Sequence, residues 1–121
     1  PQQLFRNRGD GSFEEVALMN GAAYDESGRV FAGMGVDLAD YNNDGLPDIF
    51  VNALANQGYA LFKNTGSMFE YVSGSSGIAT ISKLHSGWGT RFFDFENDGW
   101  KDLFVAQSHA RDQVQRATTS T

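Results

Sequence analysis

The sequence predicts an all-β protein built from β-propeller blades, each a four-stranded antiparallel sheet, with one complete blade flanked by two half blades. Three observations predict it. Short runs rich in β-branched and aromatic residues lie between turn signals centred on Gly, Asn and Asp. The chain also repeats itself: a shift of 54 residues aligns Gly33 with Gly87, Gly35 with Gly89, Leu38 with Phe92, Asp40 with Asp94 and Phe50 with Phe104. A second echo, at shifts of 57 and 56, matches Leu4-Phe5-Arg6-Asn7 to Leu61-Phe62-Lys63-Asn64, then Phe13 to Phe69, Val16 to Val72 and Gly21 to Gly77. Finally, one acidic loop of nine residues occurs twice in the first register. A strand unit recurring every 40–60 residues or so is the sign of a propeller blade, because no single sheet can cover both its faces alone.

Taken in order, residues 4–7 and 13–17 read as the outer two strands of a first blade, joined by the Asp10-Gly11 turn, and residues 1–32 hold them with their connection. Residues 33–86 hold a whole blade and its connection. Its strands are expected at 36–40, 48–53, 59–64 and 68–73, punctuated by Asp44-Gly45 and by the glycines at 74–77. Residues 87–121 carry the inner two strands of a third blade, ending near 107, and then a tail that includes 110–116. Stacked repeats need about three neighbours to bury a continuous core, so strand edges should be exposed. The N-terminal half of one copy could complete the C-terminal half of another, head to tail, or the remainder of a longer propeller chain could do so.

The two loops read Asp40-Tyr41-Asn42-Asn43-Asp44-Gly45-Leu46-Pro47-Asp48 and Asp94-Phe95-Glu96-Asn97-Asp98-Gly99-Trp100-Lys101-Asp102. Positions 1, 3, 5 and 9 carry Asp, Asn or Glu, position 6 is Gly for a sharp turn, and position 7 can offer its backbone carbonyl. That is the ligand grammar of a hard cation. The expected metal ligands are Asp40, Asn42, Asp44, the Leu46 carbonyl and Asp48 in the first loop, with Asp94, Glu96, Asp98, the Trp100 carbonyl and Asp102 in the second. A helical calcium hand would place Glu at position 12, where Val51 and Val105 stand inside apolar runs; these loops join strands. Pro47 biases Leu46 away from helical geometry, as a loop feeding a strand needs. Oxygen-only ligands favour Ca²⁺, at two sites; Mg²⁺, which demands a tight octahedron, and Mn²⁺ suit them less well.

Composition narrows the function classes. A chain of 121 residues, 40% hydrophobic and 20% charged, has material for one modest domain rather than a disordered tail. The net charge of −6 argues against nucleic acid or an anionic membrane as partner. Seven of the fifteen acidic residues lie in the two loops, so the acidity reads as metal demand. Without cysteine there is neither a disulfide nor a thiolate nucleophile. No apolar run reaches membrane-spanning length, the first six residues lack the regions of a signal peptide, and no Asn-x-Ser/Thr acceptor occurs.

Other motifs carry less. Arg8-Gly9-Asp10 spells an integrin-recognition tripeptide, but it lies where the repeat already requires a Gly-Asp-Gly turn. His85 and His109 lack Cys neighbours and metal-ligand spacing, and no nucleophile–base pair can be argued from them, so no catalytic residue is expected. Trp88, Trp100, Phe92, Phe93 and Phe95 are expected to pack between blades, with stacking on sugars as the alternative. Gly33-Met34-Gly35 is no phosphate loop, since neither Lys-Ser/Thr nor a helix follows.

The segments Leu4 to Phe13 (LFRNRGDGSF), Gly33 to Asp40 (GMGVDLAD) and Trp88 to Asp94 (WGTRFFD), with the loops that follow, resemble FG-GAP/VCBS repeats, more narrowly those that precede ASPIC/UnbV domains. The resemblance covers nearly everything from Leu4 to Ala106. It implies an integrin-α-like propeller, usually seven-bladed, with calcium in the loop between the two inner strands of a blade. It further implies a secreted or cell-surface, non-enzymatic scaffold that binds a protein or glycan ligand. The alternatives are a lectin-like propeller and an accessory domain of a polysaccharide-degrading enzyme whose catalytic residues lie elsewhere. Two departures stand out: Glu96 at position 3 of the second loop, and the lack of an ASPIC/UnbV segment.

Overall fold

Turn chemistry sets the strand boundaries, and burial decides which strands form the core. The structure, a computed structural model, describes residues 1–108; His109 and the tail stretch 110–116 lie outside the described residues. The first hairpin pairs β1 (Phe5–Asn7) with β2 (Phe13–Glu15). Gly9 and Gly11 take positive φ in its turn, while the Asn7 and Asp10 side chains accept from the Gly9 and Ser12 amides at 2.8 and 2.9 Å.

The middle of the chain forms a four-stranded antiparallel sheet in chain order: β3 (Gly33–Ala39), β4 (Asp48–Ala53), β5 (Ala60–Asn64) and β6 (Phe69–Tyr71). After a single helical turn, α1 (Ile78–Ile81), β7 (Ser86–Phe93) and β8 (Asp102–Ser108) close a second antiparallel pair. The molecule is thus nearly all β, as expected. β3 begins at Gly33 rather than at residue 36, reaching back through a register shift between Gly33 and Val36 that recurs in β7 between Gly87 and Thr90. The α1 turn was not expected. It is entered from Gly77 at φ 85° and tied back by the Ala79 amide on the Ser73 carbonyl at 3.0 Å.

The core lies on β4 and β5. All six residues of β4 are buried, because its apolar run is covered on both faces. The Phe50 ring meets Tyr59 and Phe92 edge to face, each at 6.0 Å between centroids. Burying such a ring contributes about 1.5–3 kcal/mol, and each edge-on pair adds about 0.5–1.5 kcal/mol. Since Phe92 belongs to β7, the third unit shares the core of the second.

Polar contacts lock the same junction. Buried Asn52 accepts from the Gly35 amide at 2.8 Å and donates to the Trp88 carbonyl at 2.7 Å. The Phe92 amide donates to Asp37 at 2.7 Å, and the Tyr59 hydroxyl donates to the His85 carbonyl at 2.9 Å. Gly35 is required here, because a Cβ would sit on the Trp88 carbonyl. On the opposite side, the Phe69 amide donates to the Asn20 carbonyl at 2.7 Å, holding the segment after β2 along the edge of β6. Between the segment leading into β1 and the sheet runs an apolar groove of about 260 Å³, lined by Leu4, Val36, Leu38 and Val51 among others.

Candidate metal centre

Each nine-residue loop joins two neighbouring strands, β3 to β4 and β7 to β8, and the backbone is the same in both. Asn43 and Asn97, at position 4, share φ 58°, while Gly45 and Gly99, at position 6, have φ 87° and 88°. Asn tolerates the left-handed region better than other side-chain-bearing residues, so two Asn-x-Gly turns at one offset fix one path.

The first carboxylate of each loop accepts from the amides of positions 5 and 6. Asp40 accepts from Asp44 at 3.1 Å and Gly45 at 2.7 Å; Asp94 accepts from Asp98 at 3.0 Å and Gly99 at 2.8 Å. Position 5 accepts from position 7, Asp44 from Leu46 at 2.9 Å and Asp98 from Trp100 at 3.0 Å. Position 9 reaches back to position 2, Asp48 to the Tyr41 amide at 3.2 Å and Asp102 to the Phe95 amide at 2.9 Å. Main-chain donors thus fix the orientation of the carboxylates at positions 1, 5 and 9 of both loops.

The surroundings differ. Asp48 is fully buried, and its second oxygen accepts from the Asn64 amide of β5 at 2.8 Å. Asp102 has no such third strand beside it among the described residues and is half-buried. Asp40, Asp44 and Asp48 bring one carboxylate oxygen each within 4.8 Å of one another; among the described residues no second group of three gathers this closely. Asn42 Oδ1, in the same loop, is buried without a hydrogen-bond partner. A buried amide oxygen with no donor is costly, and a cation beside it removes that cost.

Electrostatics follow from these contacts. The Leu46 amide holds Asp44 below the usual carboxylate range, and the Gly99 amide does the same for Asp94. Burial raises Asp48, against the pull of the Asn64 and Tyr41 amides. Glu96 is raised by the charges of Asp98 and then Asp102. The second loop therefore crowds like charges around Glu96, where the first has neutral Asn42.

Of the other residues singled out in the sequence, Asp10 of Arg8-Gly9-Asp10 is tied to the Ser12 amide and hydroxyl, and Arg8 lies 3.9 Å from Glu14. Only Phe92 of the aromatic group is buried. Trp88, Phe93, Phe95 and Trp100 are exposed, the Phe93 and Phe95 rings meeting edge to face at 6.2 Å. Sequence reasoning missed Asn52 and Asn43. Asn52 had a signal, as the one polar side chain inside the apolar run Ile49 to Ala53. Asn43 donates its Nδ2 to the Gly99 carbonyl at 3.0 Å, linking the two loops, and its sequence separation of 56 residues left no local sign.

Fold and site together define an all-β repeat protein in which each strand pair carrying an acidic loop packs against the next. The FG-GAP-like repeat family matches the chain twice, over residues 1–51 and 40–105. The chain belongs to that family, and the family assigns it the part of a structural repeat module. No curated protein matches it.

Proposed function

We propose that this module is a calcium-stabilised scaffold, secreted or at the cell surface, that presents its surface to a protein or glycan ligand and has no catalytic activity of its own. The observation that carries the calcium reading is the meeting of Asp40, Asp44 and Asp48 oxygens within 4.8 Å, beside the partnerless Asn42 Oδ1. The donor set fits a hard cation: every candidate ligand atom in both loops is oxygen. Asp40, Asn42, Asp44, Asp48 and the Leu46 carbonyl would hold Ca²⁺ in the first loop; Asp94, Glu96, Asp98, Asp102 and the Trp100 carbonyl would hold it in the second. Bound there, the ion supplies the positive charge that lets these carboxylates stay close. Extracellular calcium modules have Kd of about 10⁻⁴–10⁻³ M, so at 1 mM free calcium a 0.1 mM site stabilises its loop by about 1.4 kcal/mol.

Calorimetric titration with Ca²⁺ and Mg²⁺ tests this on the wild type, Asp44→Ala and Asp98→Ala. The expected result is two Ca²⁺ in the wild type, one in each variant, and weaker Mg²⁺ binding. Unchanged stoichiometry in both variants overturns it. A glycan-binding reading draws support from the exposed Phe93, Phe95 and Trp100 around the second loop, since exposed aromatic rings stack on sugar faces. Quenching of Trp fluorescence by oligosaccharides, lost in Trp100→Ala, is its test.

A further inference from the structure

We infer that Asn43 is a positioning residue for the second loop, through which the two candidate cation sites are coupled; this rests on the calcium reading above. The Asn43 side chain leaves its own loop and donates to the Gly99 carbonyl at 3.0 Å. The Gly99 amide, in turn, donates to Asp94, the first carboxylate of the second loop, at 2.8 Å. One residue of the second loop, Gly99, therefore stands between Asn43, bonded to its carbonyl, and a candidate ligand, bonded to its amide. Asn43 is itself held in place by the loop it belongs to. Its φ of 58° is set between Asp40 and Asp44, and the Asp44 amide next to it is bonded to Asp40. A cation that orders the first loop thus fixes the donor that fixes Gly99, and by reciprocity the second loop's cation fixes the first. Asn97 occupies the same position and backbone conformation in the second loop, and its side chain makes no hydrogen bond to the first. The coupling accordingly runs through one side chain with an internal control.

The test is a Ca²⁺ titration of the full chain, in wild type, Asn43→Gly and Asn97→Gly, following the Gly45 and Gly99 amide resonances to obtain the two stepwise constants. Glycine keeps the positive φ without strain and removes the side chain, and Asn97→Gly carries the same gain in backbone freedom. A single hydrogen bond predicts that the ratio of second to first constant falls about threefold to tenfold in Asn43→Gly and stays at the wild-type value in Asn97→Gly. The cation-free Gly99 amide should also shift in Asn43→Gly. An unchanged ratio in Asn43→Gly, or an equal fall in both variants, overturns the coupling while leaving calcium binding intact. A wild type that binds no Ca²⁺ overturns both.

Discussion

The two acidic loops share a backbone and a hydrogen-bond plan, yet they stand in different surroundings. The first is backed by β5, whose Asn64 amide fills the second oxygen of a fully buried Asp48; the second has no third strand behind it among the described residues, and its Asp102 is half-buried. Tyr41 packs against the core, whereas Phe95, at the same loop position, is 78% exposed. The difference separates two levels of encoding. Loop geometry is local, written in Asn-x-Gly and in the Asp spacing. Convergence of the carboxylates and burial of the floor come from the strand that packs alongside.

The largest effect that can break this comparison lies at the floor. Phe50 and Phe104 are equivalent by the 54-residue shift, but Phe50 is fully buried and Phe104 is 57% exposed. Phe50→Ala should cost about 3–5 kcal/mol in denaturant unfolding, and Phe104→Ala less than about 1 kcal/mol. Equal losses would mean that the two units are covered alike. Next comes Asn52, whose counterpart by the same shift is Ala106. Removing it orphans the Gly35 amide and the Trp88 carbonyl, so Asn52→Ala should cost about 2–3 kcal/mol, with the β7–β8 amides losing hydrogen-exchange protection first.

The smallest effect is a pH response that distinguishes the loops by cause. Glu96 is raised above 4.5 by neighbouring charge, and Asp48 above 3.8 by burial. Without cations, each contribution to stability is fully present below the unfolded value and is lost as pH rises through the raised folded value. A cation requires the charged form, so affinity at both loops should fall as pH drops through that window, by at most about tenfold per pH unit for one proton. Charge repulsion is screened by salt and burial is not. In titrations at low and high ionic strength, salt should flatten the response of the second loop more than that of the first, where burial is the leading cause and the charges of Asp44 and Asp40 the lesser. Glu96→Gln should flatten that of the second loop alone. A second loop indifferent to both would remove repulsion as the cause.

Much of this arrangement was legible in the sequence, because its signals are short-range. The repeat register located both loops, β4 was visible in Ile49 to Ala53, and Asp44-Gly45 and Asp98-Gly99 marked the turns. What escaped is either too brief or too distant. Four residues after a Gly- and Ser-rich stretch gave no helical period for Ile78–Ile81, and the register shifts at Gly33 and Gly87 depend on how closely strands approach. The aromatic residues expected between blades divided by neighbour rather than by type, Phe92 inside and Phe95 outside. The bonds of Asn43 and Asn52 cross from one unit to the next, and no periodicity points across such a gap.

One consequence remains in the junction between the sheet and the β7–β8 pair. Asn43, Asn52 and Asp37 each reach across with a side chain, and each is met by main chain: the Gly99 carbonyl, the Trp88 carbonyl and the Phe92 amide. The grip is blind to the identity of what it holds. Of the three receiving residues, Gly99 is held to glycine by its φ of 88° and Phe92 by the shared core, so the latitude falls at Trp88, where the unit can change its outward face without its neighbour having to change in step.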